Sequence, residues 1–470
     1  MPRVYGFRHI GPAVKVLLIS PNIEFLPDPV FPIGIACLAG ALKKNATSFR
    51  VLDLCFAQDY DTAIGRALEE YAPDIVCLSI RNIDNVSYPQ YVTYMPFYRK
   101  VIESIRAKSA AGIAVGGSGF SLLPEACMRY LKADLGFAGE GERSLIDFIN
   151  TCAAGGWVAS GCQGKIIYPV PDRNDGLDDL PEPDRSGLDS AAYLQQGGMG
   201  NIQTKRGCPF QCIYCTYPII EGCRIRMRSP EAVCDEIEHL LEAGMSTLFF
   251  VDNEFNYPPE HARAVCREII ARRLRVSWSC YAHPAFIAPD LVELMQAAGC
   301  TGIEFGSDAA EPGMLRNLGK NFTVDHLARA SSACRSAGIS FCHSLLLGGP
   351  GETMESVQQT CDTICAMDPT AVICMIAIRV FPRTKLACIA AEEKLIHPGT
   401  DFLEPVFYLS PALRDAVLPW AEQFSKSHPT WIFPGLNINM NMHLQAKLRR
   451  FGIKGPLWEY MQAGARRRRT

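Results

Sequence analysis

Three cysteines stand within eight residues: Cys208, Cys212 and Cys215, in the stretch TKRGCPFQCIYCTYP. Four thiolates would close a structural zinc site, whereas three leave a position open on the metal. Cys223 and Cys234 follow, and either is a formal fourth ligand. Neither pairs with a second cysteine or a histidine at ligand spacing. A cluster of four irons held by three cysteines keeps one iron free of protein ligands. That iron can take a substrate or cofactor, and Tyr214, beside Cys215, is placed to pack over the cluster. Most of the other cysteines stand singly among apolar residues, as Cys37 and Cys77 do, and read as small buried hydrophobes.

The elements that must position these thiols form two αβ series. In the first, the strand candidates are 14–20, 49–54, 74–80, 112–117 and 135–141. They alternate with helix patterns over 33–44, 61–71 and 96–108. Apolar strands separated by amphipathic helices predict a parallel sheet covered on both faces, a doubly wound fold with ligands at the strand carboxyl ends. Small and turn-forming residues cluster at those ends: Ser20-Pro21-Asn22, Gly116-Gly117-Ser118-Gly119 and Gly139-Glu140-Gly141-Glu142. No G-x-G-x-x-G follows the first strand, so a dinucleotide fingerprint is missing. From about residue 200 the rhythm resumes for six βα-type units, and the cysteines follow its first strand. A (β/α) barrel, partial or complete, would carry its site at the strand carboxyl ends.

The expected divisions are a doubly wound domain over 1–160, a Pro- and Asp-rich linker over 161–194, a barrel over 195–395 and a C-terminal segment over 396–470. The chain has 470 residues, 48% hydrophobic and 20% charged, with a net charge of −3. That balance names no polyanionic partner, and no nucleic-acid binding is expected. No apolar run reaches the roughly 18 residues of a membrane span. The N-terminal apolar run reads as a strand, and twenty cysteines without an export signal point to a reducing cytoplasm. Arg466–Arg469 reads as a solvated tail, with peripheral contact to an acidic membrane as the other reading.

The cysteine loop and its context resemble the radical S-adenosylmethionine (SAM) superfamily. Val251–Asn256 is similar to the D-x-x-F-N that ends the second barrel strand of that superfamily. Ile303–Ser307 resembles its fourth-strand segment, Leu347–Thr353 its G-x-P-G-E-T turn, and Arg379–Thr384 its sixth-strand segment. The first domain resembles the cobalamin-binding domain of one branch, through SPN (20–22), residues 32–39, Ser79, GGSGF (116–120) and GEGE (139–142). The D-x-H-x-x-G that supplies a lower axial histidine is absent, and no histidine stands between His9 and His239.

The resemblance implies a [4Fe-4S] cluster on Cys208, Cys212 and Cys215, with SAM on its open iron. SAM contacts are expected from Tyr214, Asp252, Asn253, Glu304, Ser307, Gly348, Gly349, Pro350 and Arg379. Cobalamin, without a histidine from the protein, is expected at Ser20, Pro21, Asn22, Ser79, Gly116, Gly117, Ser118, Gly119, Gly139, Glu140 and Gly141. Lys205-Arg206 would hold the SAM carboxylate or the corrin side chains, or else form an ion pair. The implied activity joins a 5′-deoxyadenosyl radical to methylcobalamin and methylates an unactivated carbon of a small, apolar, lipid-like molecule. The electron would come from flavodoxin or ferredoxin. Two alternatives stay open: a rearrangement, cyclisation or carbon–carbon coupling without net methyl transfer, and a non-catalytic metal- or cobalamin-binding protein. Substrate contacts are expected from 396–470 and the barrel loops. His283 and His343 are assigned no catalytic role, and Met440 and Met442 read as packing.

Overall fold

The run KVLLIS forms β1 (Lys15–Ser20), which is buried on both faces, as a central strand of a parallel sheet must be. The computed structural model describes residues 14–25, 28–153, 164–168, 176–440 and 442–461; the Arg466–Arg469 run lies outside them. β1 pairs in parallel with β2 (Ser48–Asp53) and β3 (Ile75–Ser79). β4 (Gly112–Gly116), β5 (Leu135–Phe137) and β6 (Lys165–Ile167) extend the sheet in the order β2-β1-β3-β4-β5-β6. The order reverses at β1, the place where doubly wound sheets open a ligand crevice. One face packs on the helices Ile33–Lys44 and Gly141–Ala153, through Val16, Leu18, Ile35, Leu42, Leu145 and Phe148. The opposite face packs Leu17, Ile19, Val76 and Val115 against the helices Tyr60–Tyr71 and Met95–Lys108. The sheet thus has one more strand than expected, β6, inside the stretch read as linker.

The second sheet begins at β7 (Gly200–Ile202). Beyond it a short antiparallel pair, β8 (Lys205–Arg206) and β9 (Arg226–Met227), brackets the cysteine loop. β10 (Thr247–Phe250), β11 (Ser277–Ala282), β12 (Cys300–Asp308), β13 (Ser340–Leu347) and β14 (Ala371–Ile376) continue the sheet in parallel. β15 (Ile378–Arg379) pairs antiparallel with β16 (Phe407–Tyr408). β17 (Trp431–Ile432), from the C-terminal segment, joins β14, giving the order β17-β14-β13-β12-β11-β10-β7. The ends of this order are not hydrogen-bonded to each other, so the sheet is a partial barrel. Period-two alternation divides its side chains. Leu248, Phe250, Trp278, Ile303 and Phe305 pack on the outer helices. Phe249, Tyr281, Glu304, Ser344 and Met375 alternate with them, on the inner face, and keep solvent exposure.

The last described residues close the barrel from below. Trp458 packs on Cys342 and Ala371, and Glu459 accepts a 2.5 Å hydrogen bond from Ser279 Oγ. These contacts lie in the amino-terminal halves of β11, β13 and β14. Residues 455–461 are therefore at the end of the barrel opposite the cysteine loop, away from where the C-terminal segment was expected to meet substrate.

Candidate active site

The carboxyl ends of the two sheets face each other. The helix Ser118–Leu122, which follows β4, packs on the helix Tyr217–Ile220, which follows the cysteine loop. The join is stitched by buried ion pairs. Arg206 Nη2 donates to Glu142 Oε1 (2.6 Å), and its Nη1 lies 3.2 Å from Glu140 Oε2. Arg226 pairs with both oxygens of Glu140. Arg379 Nε donates to Asp84 Oδ2 (2.9 Å). Tyr193 donates to Asp53 Oδ2 (2.6 Å), and Arg449 pairs with Asp28.

The cysteine loop turns on Gly207. Its φ is +96°, and a Cβ there would stand 2.1 Å from the Arg224 carbonyl oxygen, so only glycine fits. Two amides fix the loop: Cys208 N donates to Gly222 O (3.1 Å) and Ile213 N to Leu318 O (3.0 Å). Burial pushes the Cys208 thiol up to about 11 and Cys215 to about 12, each opposed to ionisation also by the neighbouring cysteines. Among the described residues no triad of His, Cys, Asp or Glu is drawn in tightly enough for one metal ion. The Cys212 thiol bears on both Cys208 and Cys215, so the three lie within reach of one another, as ligands of one cluster must.

Around this loop lies a polar group that the sequence reading left out. Lys320 Nζ is 2.6 Å from Asp308 Oδ2 and donates to Cys212 Sγ at 3.6 Å. Tyr214 donates its hydroxyl to the same Asp308 oxygen. Burial works against the Lys320 charge, and Asp308 and Cys212 outweigh it, holding its pKa above the usual value. Glu254, which shares a pocket wall with Cys208, Phe210 and Asn253, is pushed up to about 8 by burial. Asp308 carried no signal in the sequence: β12 breaks register between Gly306 and Asp308, and Asp308 has φ +61°, so the alternation that places Glu304 does not extend to it.

Several expected SAM contacts are already committed to the protein. Asp252 accepts from Thr204 N (2.7 Å), Thr204 Oγ1 (2.6 Å), Lys205 N (3.2 Å) and Lys205 Nζ (3.1 Å). A carboxylate has about four acceptor positions, so none is left for an ammonium group. It anchors β8 instead. Ser307 is buried and bonds to His343 Nδ1 (2.7 Å), whose Nε2 meets Ser331 (3.0 Å). Burial lowers His343 to about 3, so it is a neutral core histidine. Arg379 also donates to Val380 O (2.8 Å) and Phe402 O (2.7 Å) and is a joint between the domains.

The turn at Gly348, Gly349 and Pro350 is folded by Glu352, which accepts from both glycine amides. A Cβ on Gly348 would stand 2.6 Å from Leu409 and one on Gly349 3.0 Å from Leu318, so protein packs against both. Glu352 is fully buried, its Oε1 lacks a partner, and burial lifts its pKa to about 7. Asn253 donates to Glu221 (2.9 Å) and borders the Cys208 pocket. Glu304 takes one hydrogen bond, from Ser344 (2.5 Å).

On the first sheet, the residues expected at cobalamin line its carboxyl edge. Ser20 bonds to Asp53, and its carbonyl accepts from Leu54 N (2.9 Å). Pro21 and Asn22 continue the same edge, where Asn22 Oδ1 accepts from Glu24 N (3.3 Å). Ser79 is half-buried at the end of β3. Gly116 accepts from Ile80 N (2.7 Å), and Gly119 N and Ser118 Oγ donate to the Ile80 and Arg81 carbonyls. Gly117 has φ +101° and would put a Cβ 2.5 Å from Ile80 O. The close approach these glycines allow is therefore to the chain itself. Gly139 N donates to Ser121 (2.8 Å), and Gly141 borders Leu38. Both oxygens of Glu140 face the arginines across the join.

Residues 202–364 match the model of the radical SAM superfamily, and residues 23–149 match that of the B12 binding domain. The tryptophan 2-C-methyltransferase of Streptomyces laurentii is 27% identical over 80% of this chain and 74% of its own. The anaerobic magnesium-protoporphyrin IX monomethyl ester cyclase of Rubrivivax gelatinosus is 27% identical over 74% of this chain and 65% of its own. The methyltransferase TsrM of Kitasatospora setae, solved with cobalamin and a [4Fe-4S] cluster bound, superposes with a TM-score of 0.84. It is 26% identical, and the match covers 97% of this chain and 98% of that one. Six parallel strands, the facing second sheet and the three-cysteine loop between them agree with both matches: the chain belongs to the radical SAM superfamily, in the branch that carries a B12-binding domain.

Proposed function

We propose that the chain is a methyltransferase that adds a methyl group to a carbon atom of a small, largely apolar molecule. One observation carries the reading: the carboxyl edge of the B12-type sheet is locked face to face with the cysteine loop. A methyl carrier on one side and a radical source on the other would then meet over one cavity. When bound, the cluster and cobalamin supply reductive cleavage of SAM and carriage of the methyl group.

The chain's own residues do the rest. Cys208, Cys212 and Cys215 hold the iron. Gly207 and the Asp252–Thr204–Lys205 network set the loop against β10. Asp308, Lys320 and Asn253 bring charge and hydrogen bonds to its rim. The arginine–glutamate joint fixes the gap and excludes water from it. The first sheet presents no histidine to a cobalt ion, and a flavodoxin or ferredoxin is the expected electron donor.

The test is anaerobic reconstitution with iron, sulfide and hydroxocobalamin, followed by reductant and SAM. Retained cobalamin, about four irons per chain and formation of S-adenosylhomocysteine are expected. The cobalt(II) resonance spectrum should show no nitrogen splitting from a protein histidine. A cluster with 5′-deoxyadenosine and no S-adenosylhomocysteine would favour the cyclase-like relatives. No iron and no cobalamin would overturn the reading.

A further inference from the structure

The end of the barrel opposite the cysteine loop presents a bare aromatic ring. The helix Met442–Arg450 stops there, and the next residue, Phe451, is 75% exposed, more than any other large hydrophobic residue among those described. Its backbone is fixed all the same. Phe451 N donates to Lys447 O (3.1 Å), Gly452 N to Arg449 O (2.9 Å) and Ile453 N to Leu448 O (3.2 Å), which closes the helix end. Arg449 is buried beneath, with Nε on Asp28 Oδ1 (2.8 Å), Nη1 on Ile453 O (3.0 Å) and Nη2 on Gly455 O (2.9 Å). A built turn thus holds the ring out in solvent. Ile270, at 39%, and Tyr460, at 44%, are further exposed apolar side chains of this end.

Cations flank the ring. Lys447 and Arg450 precede it and Lys454 follows, all exposed. Gly455 lies against β10, where a Cβ would stand 3.5 Å from Thr247 Cγ2. Thr247 is in register with Ser277 of β11, and the turn that enters β11 adds exposed Arg273 and Arg275. Among the described residues none of these cations forms an ion pair. Glu242 and Asp368 are the exposed acids on the neighbouring turns. Asp28, Glu268 and Glu459 are engaged by Arg449, Arg272 and Ser279. The chain as a whole carries −3, so positive charge is concentrated at this end. A neutral apolar protein face would bury the ring and desolvate the cations without partners. An acidic bilayer meets both demands, since phosphates take the cations and the acyl boundary takes the ring.

We propose that this end of the barrel is a membrane-docking surface, which seats on anionic phospholipid headgroups with Phe451 inserted between them. Lys447, Arg450 and Lys454 supply the attraction, and Phe451 distinguishes a bilayer from other polyanions. The proposal goes beyond the methyl-transfer reading and stands or falls without it.

The test is co-sedimentation of the reconstituted full chain with vesicles, measured without turnover. Phosphatidylcholine vesicles with about one third phosphatidylglycerol should bind it, pure phosphatidylcholine should not, and about 0.5 M salt should release it. Phe451→Ser should weaken binding about tenfold, and Lys447→Glu with Arg450→Glu should abolish it. Phe451→Trp should retain binding, and its added emission should be quenched by brominated lipid. No binding to the anionic vesicles would overturn the proposal. So would loss of binding only when Arg466–Arg469 are replaced by serine, which would assign the contact to the tail. Undiminished binding of Phe451→Ser, with single-stranded DNA competing for the same cations, would overturn it in favour of a polyanion site. If Phe451→Ser does not fold, quenching of Phe451→Trp decides, and an unquenched tryptophan overturns the proposal. Each of these results leaves the methyl-transfer reading where it stands.

Discussion

At the scale of single residues, the three thiols and the buried polar groups behave differently under substitution. Replacing any of Cys208, Cys212 or Cys215 by alanine should abolish the brown cluster, read as iron content after reconstitution. Ser307→Ala should do something else. It leaves His343 Nδ1 without a partner in a buried site, at about 1–3 kcal/mol, while SAM affinity stays the same. His343 also sets an acid limit. Its folded pKa of about 3 lies below its ordinary value of 6.5, so the unfolded chain binds the proton first. The stability from neutral His343 is complete above about 6.5 and falls as the pH drops towards 3, by at most about 1.4 kcal/mol per unit. Urea midpoints between pH 7 and 5, compared with His343→Gln, should show that slope disappear in the variant. The cysteine spacing was legible because ligands close in sequence must be close in space. The fate of Asp252 was not, because its partners lie 47 and 48 residues away. A carboxylate that is saturated reads the same in sequence as one that is free.

At the scale of elements, most strands were legible within a residue or three, since buried parallel strands are near-continuous apolar runs bounded by turns. β6 and β17 escaped because three- and two-residue edge strands carry too little pattern. The turns are where backbone conformation decides. Gly207→Ala should misplace Cys208 and cost iron binding as fully as losing a ligand, with helix content unchanged by circular dichroism. Glu352 folds its own turn with a carboxyl that burial holds near 7, above its ordinary 4.5. A raised folded pKa means that its contribution is complete below about 4.5 and is lost as the pH rises through 7. Glu352→Gln should flatten that loss, a trend opposite in sign to that of His343, so stability curves on the two variants can be told apart.

At the scale of the whole molecule, the domain order was legible but the way the domains meet was not. Asp84 and Arg379 are 295 residues apart in the chain and share a buried 2.9 Å bond. No local pattern announces such a pair. Removing either alone should cost about 3–5 kcal/mol, because the other stays buried and unpaired. The double change Asp84→Leu with Arg379→Met should recover most of that loss, measured as a double-mutant cycle in chemical denaturation. Described helices include none long and apolar enough to cross a membrane. The joint also bears on how such a protein can be inherited. Arg206, Arg226 and Arg379 reach out of the second domain for acids that only this first domain supplies. A recombination event that exchanged one domain for a cousin's would strand three cations in the seam. A transplanted first domain would therefore have to bring acids at the positions of Glu140, Glu142 and Asp84, or the arginines facing them would have to be replaced with it.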